Sequence, residues 1–318
     1  MRNRFLFGMV MFLICAGVLF LTFYVSVSVY DVFILILMII AAHEMSEALS
    51  YKYAKPGFFM QVFAILISYA AFKVVNIFGQ SKYDIYGLHG VAAYFITLVL
   101  LIVIIFIVNM TSPKKTAENV ISSVFSLIYP VAIMFFFLAV NYLPGAQHGI
   151  AFDGWTYDPY TADGYAPNYR VIAVLMVFVC ASSCDIAAFA IGSKFKGPKF
   201  APMISPKKTV SGSIGGMLGG MIGAAIVFGL SFTGIGGLTG LHQNVWVSLT
   251  LYLSLGLVIG VATEIGDLMA SYIKRHCEIK DYGTLIPGHG GIMDRIDGTM
   301  ISALATYVYM AILVYVFL

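Results

Sequence analysis

Apolar runs separated by short polar or Gly/Pro-containing segments dominate this chain. Nine runs lie near residues 5–24, 30–50, 57–78, 89–110, 120–143, 169–192, 212–234, 244–272 and 297–317. Most approach the length of about 20 residues that a helix needs to cross a hydrocarbon layer of roughly 30 Å. The pattern predicts an all-α integral membrane protein, a polytopic bundle of about nine transmembrane helices. The first run follows Arg2 and Arg4 as the core of a signal peptide would. It carries no convincing small-residue cleavage site and more spans follow, so it is read as a retained first helix. Three regions result: membrane helices over 1–143 (about five spans), an outer loop over 144–168, and a C-terminal membrane region over 169–318 that carries the chemistry.

Composition agrees with the pattern. Sixty per cent of the residues are hydrophobic and the mean hydropathy is +0.93, more apolar surface than a water-exposed exterior tolerates. The net charge of +3 is too small to argue for a nucleic-acid partner. Cys15, Cys180, Cys184 and Cys277 form no CxxC pair, and Cys180 and Cys184, one helical turn apart, suit packing better than a disulfide or zinc site.

Charge sets an orientation, because Lys and Arg accumulate in cytoplasmic loops. With the N-terminus inside, 15 of the 18 basic residues fall on inner segments and only Lys73, Lys82 and Arg170 fall elsewhere. The outer loop holds Asp153, Asp158 and Asp163 and no basic residue. An odd number of spans then puts the C-terminus outside. In the seventh run, Gly212/Gly216, Gly215/Gly219, Gly216/Gly220 and Gly219/Gly223 are four apart, a spacing that lets helix backbones approach closely in lipid. Packing within the protomer is the ordinary use of such a stripe, and a homodimer interface is the alternative.

Two inner segments break the apolar pattern. In the first, Asp185 near the end of a span is followed by Lys194, Lys196 and Lys199, then Ser205-Pro206-Lys207-Lys208-Thr209, then glycines that open the next helix. Lysines, exposed amides and a helix N-terminus make a candidate polyphosphate cradle; ordinary positive-inside charge is the competing account. No GxxxxGK[ST] loop is present. The second segment, Ser271–Asp297, holds eight charged residues in 27. In the helix leading into it, Glu264, Asp267 and Ser271 share a face by their spacing. Asp294 and Asp297 are again three apart, and Gly288-His289-Gly290-Gly291 forms a turn that allows close backbone approach to a ligand. Hard oxygen ligands of this kind suit Mg²⁺ held together with substrate phosphates. A third cluster, His43-Glu44-Met45-Ser46-Glu47, lacks the second imidazole of a zinc protease and is read as structural or interfacial.

Ser271, Lys274-Arg275, Lys280-Asp281, Pro287, His289-Gly290-Gly291, Asp294-Arg295 and Asp297 resemble the signature of the phosphatidate cytidylyltransferase (CDP-diacylglycerol synthase) family, S-x-x-K-R-x4-K-D-x5-P-x-H-G-G-x-x-D-R-x-D. The block from Asp185 through Gly192, Lys194 and Ser205–Thr209 to Gly216 resembles the family's other cytoplasmic block, with Ser211 where many members carry an acidic or amide residue. The resemblance is strong over roughly the last 140 residues and rests mainly on helix layout before them.

The resemblance implies transfer of CMP from CTP to phosphatidic acid in the cell membrane, with the site facing the cytoplasm and Mg²⁺, paired with K⁺ as a second cation, as cofactor. It implies Asp267 and Asp294 as metal ligands, with Ser271, Asp281 and Asp297 in or near the same site. It assigns Lys194, Lys207, Lys208, Lys274, Arg275 and Arg295 to phosphates. Asp185, Ser205, Thr209, Gly290 and Gly291 are assigned to substrate, and His289 to phosphate or leaving pyrophosphate or to fixing the turn. Two other readings compete: a CTP-dependent transferase acting on an ether-lipid or polyprenol phosphate, and an ion or proton transporter using Asp185, Glu264 and Asp267. The transporter reading expects inverted repeats, which the chain lacks.

Overall fold

The computed structural model describes residues 2–53, 55–78, 88–111, 117–143, 167–285 and 290–317. Helices cover the apolar runs: α1 (Arg2–Tyr24), α2 (Val27–Ser50), α3 (Phe58–Phe78), α4 (Leu88–Met110), α5 (Ala117–Ser126), α6 (Ile133–Val140), α7 (Tyr169–Phe195), α8 (Val210–Ser231), α9 (Val245–His276) and α10 (Met293–Phe317). A π-helical stretch, Leu127–Ala132, joins α5 to α6 around Pro130, whose ring leaves the ladder without one donor. Among the described residues eight helices, with Ala117–Val140 taken as one, are long and apolar enough to cross a membrane. Over the first expected span the chain forms α1, whose apolar part Leu13–Tyr24 is shorter. The chain is a multi-pass membrane protein. The outer-loop expectation falls almost wholly outside the described residues.

Two compact units divide the chain: Met1–Val18, Ser28–Ala139 and Ile273–Ile296 form one, and Leu19–Val27, Val140–Tyr272 and Asp297–Leu318 the other. In the first, Tyr94 stacks on Phe135 with ring centroids 3.6 Å apart, and Phe72 meets Phe135 edge-on at 5.2 Å. A polar chain threads its apolar helices: the Ser46 hydroxyl donates to Gln61 Oε1 at 2.8 Å, and the Gln61 amide donates to Ser126. Asp31, fully buried, pairs with Lys73 at 3.2 Å and accepts from the Tyr69 hydroxyl at 3.0 Å. A carboxylate in an apolar helix persists only when so matched.

In the second unit the glycine stripe of α8 is used within the protomer. A Cβ on Gly219 would lie 2.4 Å from the Ser183 carbonyl of α7, and one on Gly220 would lie 2.3 Å from the Gly256 carbonyl of α9. Backbone therefore rests on backbone on both sides of α8. Where α9 meets α10, a Cβ on Gly266 would lie 2.7 Å from the Asp297 carbonyl and 3.0 Å from Gly298 Cα. Between α7 and α8 the expected loop is instead an antiparallel hairpin, β1 (Lys199–Ala201) with β2 (Ser205–Thr209), pairing Lys199 with Thr209 and Ala201 with Ser205. All four cysteines are free.

Candidate active site

In the second unit, the hairpin delivers Lys208 to the carboxylates of α9. Its Nζ lies 2.8 Å from Glu264 Oε2 and 2.7 Å from Asp267 Oδ2. Glu264 and Asp267 are three residues apart on one helix, so a single ammonium bridges them, as their spacing allows. The Ser213 hydroxyl of α8 donates to the same Glu264 oxygen at 3.4 Å. Glu264 is buried, whereas the Asp267 side chain is 36% exposed. Burial presses the Lys208 ammonium toward neutrality, and the Asp267 and Glu264 carboxylates more than offset it, so its pKa lies above the ordinary lysine value.

The hairpin is closed by its own side chains. Thr209 caps α8, its hydroxyl oxygen accepting from Gly212 N–H at 3.1 Å. The Ser211 hydroxyl donates to the Lys196 carbonyl at 2.5 Å. Lys194, Lys196, Lys199 and Lys207 are exposed around it, and Ser205 is half-buried. Asp185 is exposed on α7, one turn and more before Gly192, and Ser271 is buried on α9. Asp297 accepts from its neighbour Gly298 N–H at 2.9 Å. Gly266 and Gly298, the crossing point of α9 and α10, directly adjoin Asp267 and Asp297 in the chain, so that crossing brings these two expected site positions toward one region.

In the first unit, Asp294 organises the charged stretch. Its Oδ1 takes Lys274 Nζ at 3.0 Å, and its Oδ2 accepts the N–H groups of Tyr282 at 2.8 Å and Gly291 at 3.0 Å. The Lys274 and Asp294 side chains are 11% and 2% exposed, and the Lys274 ammonium lies 5.3 Å from the centre of the Tyr282 ring. Gly290 has a φ of +84°, and a Cβ there would lie 2.8 Å from Asp294 Oδ2, so glycine is required twice over. Arg275, Asp281 and Arg295 are exposed; Arg275 Nη1 donates to the Ile279 carbonyl at 3.4 Å. Pro287 and His289 lie outside the described residues.

The His43–Glu47 cluster, read from the sequence as structural or interfacial, supplies one further participant. Glu44 of α2 is buried and receives the amides where the chain enters α10: Ile292 N–H on Oε1 at 2.9 Å and Met293 N–H on Oε2 at 2.8 Å. Three consecutive amides, Gly291 to Met293, are thus held by two carboxylates. A Cβ on Gly283 or Gly291 would lie 2.7 or 2.4 Å from a Glu44 oxygen.

Among the described residues no group of three or more His, Cys, Asp or Glu stands together as a ready metal cage. Mg²⁺ asks for less, one or two carboxylates completed by phosphate oxygens and water. The Glu264–Asp267 pair offers carboxylates of that type, two of whose oxygens are held by the Lys208 ammonium. In the first unit, Asp294 is a further, more buried carboxylate.

A model of the cytidylyltransferase family matches residues 2–313. Among curated relatives, a phosphatidate cytidylyltransferase of Brucella suis is 37% identical over 139 residues, which cover 44% of this chain and 47% of that protein. One from Mycobacterium bovis is 34% identical over 139 residues (44% and 40%). One from Rickettsia typhi is 36% identical over 132 residues (41% and 55%). The chain thus spans about half the length of the curated relatives it matches.

Proposed function

From the cytidylyltransferase family, to which this chain belongs, we propose a phosphatidate cytidylyltransferase: CMP passes from CTP to phosphatidic acid, and CDP-diacylglycerol and pyrophosphate leave. The observation that carries this reading is the match itself, since the three relatives above share that name. A phosphate oxygen of phosphatidate bonds to the α-phosphorus of CTP, and the bond from that phosphorus to the β-phosphate bridging oxygen breaks. The nucleophile is already mostly ionised near neutral pH, because a phosphomonoester's second pKa is about 6. No base has to activate it; the obstacle is repulsion between two anions.

The residues answer that obstacle with charge. Lys207 and Lys208 take phosphates of CTP on the hairpin, with Lys194 beside them. Lys274, Arg275 and Arg295 take phosphates in the other unit. Asp267 is the metal ligand of the Lys208 cluster and Asp294 of the Lys274 cluster. Mg²⁺, with K⁺ as second cation, would supply charge neutralisation and orientation at the phosphates. Thr209 and Ser211 tie the hairpin segment to the start of α8 and to the Lys196 carbonyl. The active site faces the cytoplasm of the cell membrane, where CTP is dissolved, and the N-terminus lies on that side.

Purified protein in lipid nanodiscs, given radiolabelled CTP, phosphatidate and Mg²⁺, is expected to form labelled CDP-diacylglycerol and one pyrophosphate per turnover. Label appearing only with an ether-lipid or polyprenol phosphate would reassign the acceptor. No label in any lipid would refute the transfer reaction.

A further inference from the structure

The cluster His43–Glu47 is not absorbed by the proposed reaction, yet its Glu44 reaches the start of α10, the helix that carries Asp294. We propose that Glu44 is a positioning residue that sets the Asp294 carboxylate by clamping the amides of Ile292 and Met293. The inference rests on the reading of Asp294 as a metal ligand.

The geometry is specific to a carboxylate of this length. Each Glu44 oxygen accepts one amide, at 2.9 Å and 2.8 Å. The next amide in line, Gly291 N–H, goes to Asp294 Oδ2 at 3.0 Å, so the two carboxylates grip one continuous strip of backbone. Moving that strip moves the oxygen that also holds Tyr282 N–H, and with it the partner of Lys274. Gly283 and Gly291 leave the space that Glu44 fills. The anion position at the start of α10 is taken by the protein's own side chain, 248 and 249 residues away in sequence, so this helix end serves to fix a loop. Neither neighbouring ionisable residue substitutes for it: His43 is exposed, and Glu47 is half-buried and pairs with Lys55.

Glu44→Gln is the direct test. The amide has one oxygen for one N–H and turns its own NH₂ against the other, donor facing donor. The expected result is a folded protein whose Mg²⁺ requirement for half-maximal CDP-diacylglycerol formation rises about tenfold or more, the usual effect of losing a group that orients a metal ligand. The KM for phosphatidate should change less than about threefold. Hydrogen exchange across 283–296 should speed up, a readout independent of turnover. A purely structural role would lower the melting temperature and leave the Mg²⁺ dependence of the folded protein unchanged; that outcome overturns the proposal. Should E44Q not survive purification, E44D asks the same question, since its shorter carboxylate cannot span both amides; wild-type Mg²⁺ dependence would overturn the proposal. Gly291→Ala adds a coupling test. Its Cβ would collide with Glu44, so the defects of Glu44→Ala and Gly291→Ala should be far from additive, and strict additivity counts against the clamp. Wild-type protein without cytidylyl transfer, combined with faster exchange in E44Q, would sink the assigned reaction and keep the clamp.

Discussion

Replacing Lys208 with methionine removes one ammonium and keeps most of the stem's volume. Two ion contacts vanish, at 2.8 Å to Glu264 and 2.7 Å to Asp267. They are unequal. The Glu264 side chain is 9% exposed, and breaking a buried pair from one side costs about 3 kcal/mol, because the partner charge stays in a poor solvent. Asp267 is 36% exposed, and a screened contact of that kind contributes about 0.5 kcal/mol or less. The expected loss is therefore about 3 kcal/mol, or a fall in melting temperature on the order of 4–5 °C for a chain of 318 residues. Adding Glu264→Gln removes the stranded charge and should recover most of the loss, whereas adding Asp267→Asn should recover little. Thermal unfolding in one detergent, followed for all four proteins, measures this directly. The same bridge has a defined pH range. Its lysine pKa is raised in the folded protein, so its contribution is complete below the unfolded value of about 10.4 and is lost only as pH climbs through the higher folded value. The difference between wild type and K208M should thus stay flat from pH 6 to 9. An unchanged melting temperature in K208M, or a gap that closes within that pH range, would refute the reasoning.

Asp294→Asn should cut CDP-diacylglycerol formation by at least about 100-fold across a Mg²⁺ titration in a monodisperse preparation, since it removes a proposed ligand and strands the Lys274 ammonium; near-normal activity at low Mg²⁺ removes it from the metal site. Lys207→Gln should raise the KM for CTP with little change in that for phosphatidate, and the reverse pattern would give the hairpin to the lipid. Gly220→Ala, whose Cβ would sit 2.3 Å from the Gly256 carbonyl, should destabilise by about 2–3 kcal/mol through forced separation of α8 and α9, measured by thermal unfolding at unchanged oligomeric size.

Spans were legible where apolar runs had sharp polar ends. The expected 57–78 and 89–110 became Phe58–Phe78 and Leu88–Met110. The last two helices run beyond their expected edges because charged residues such as Lys274, Arg275 and Asp294 sit inside helices, where a hydropathy reading stops early. The hairpin was missed because Ser205–Thr209 carries a proline and two lysines and no alternating pattern. Spacing put Glu264 and Asp267 on one face, but which cation meets them is a tertiary fact. Glu44 was invisible in its role for the same reason, since nothing local distinguishes a carboxylate that binds solvent from one that binds a backbone 248 residues away.

That separation also orders the protein's assembly in time. Glu44 is synthesised 248 residues ahead of Ile292, about 10–50 s at ordinary translation rates. Throughout that interval α2 carries a carboxylate near its end whose amide partners do not yet exist. The contact that seats the start of α10, and Asp294 with it, is therefore among the last to form. A chain cut short before α10 leaves Glu44 without those partners, and a C-terminal fragment that retains every residue of the charged signature lacks the clamp.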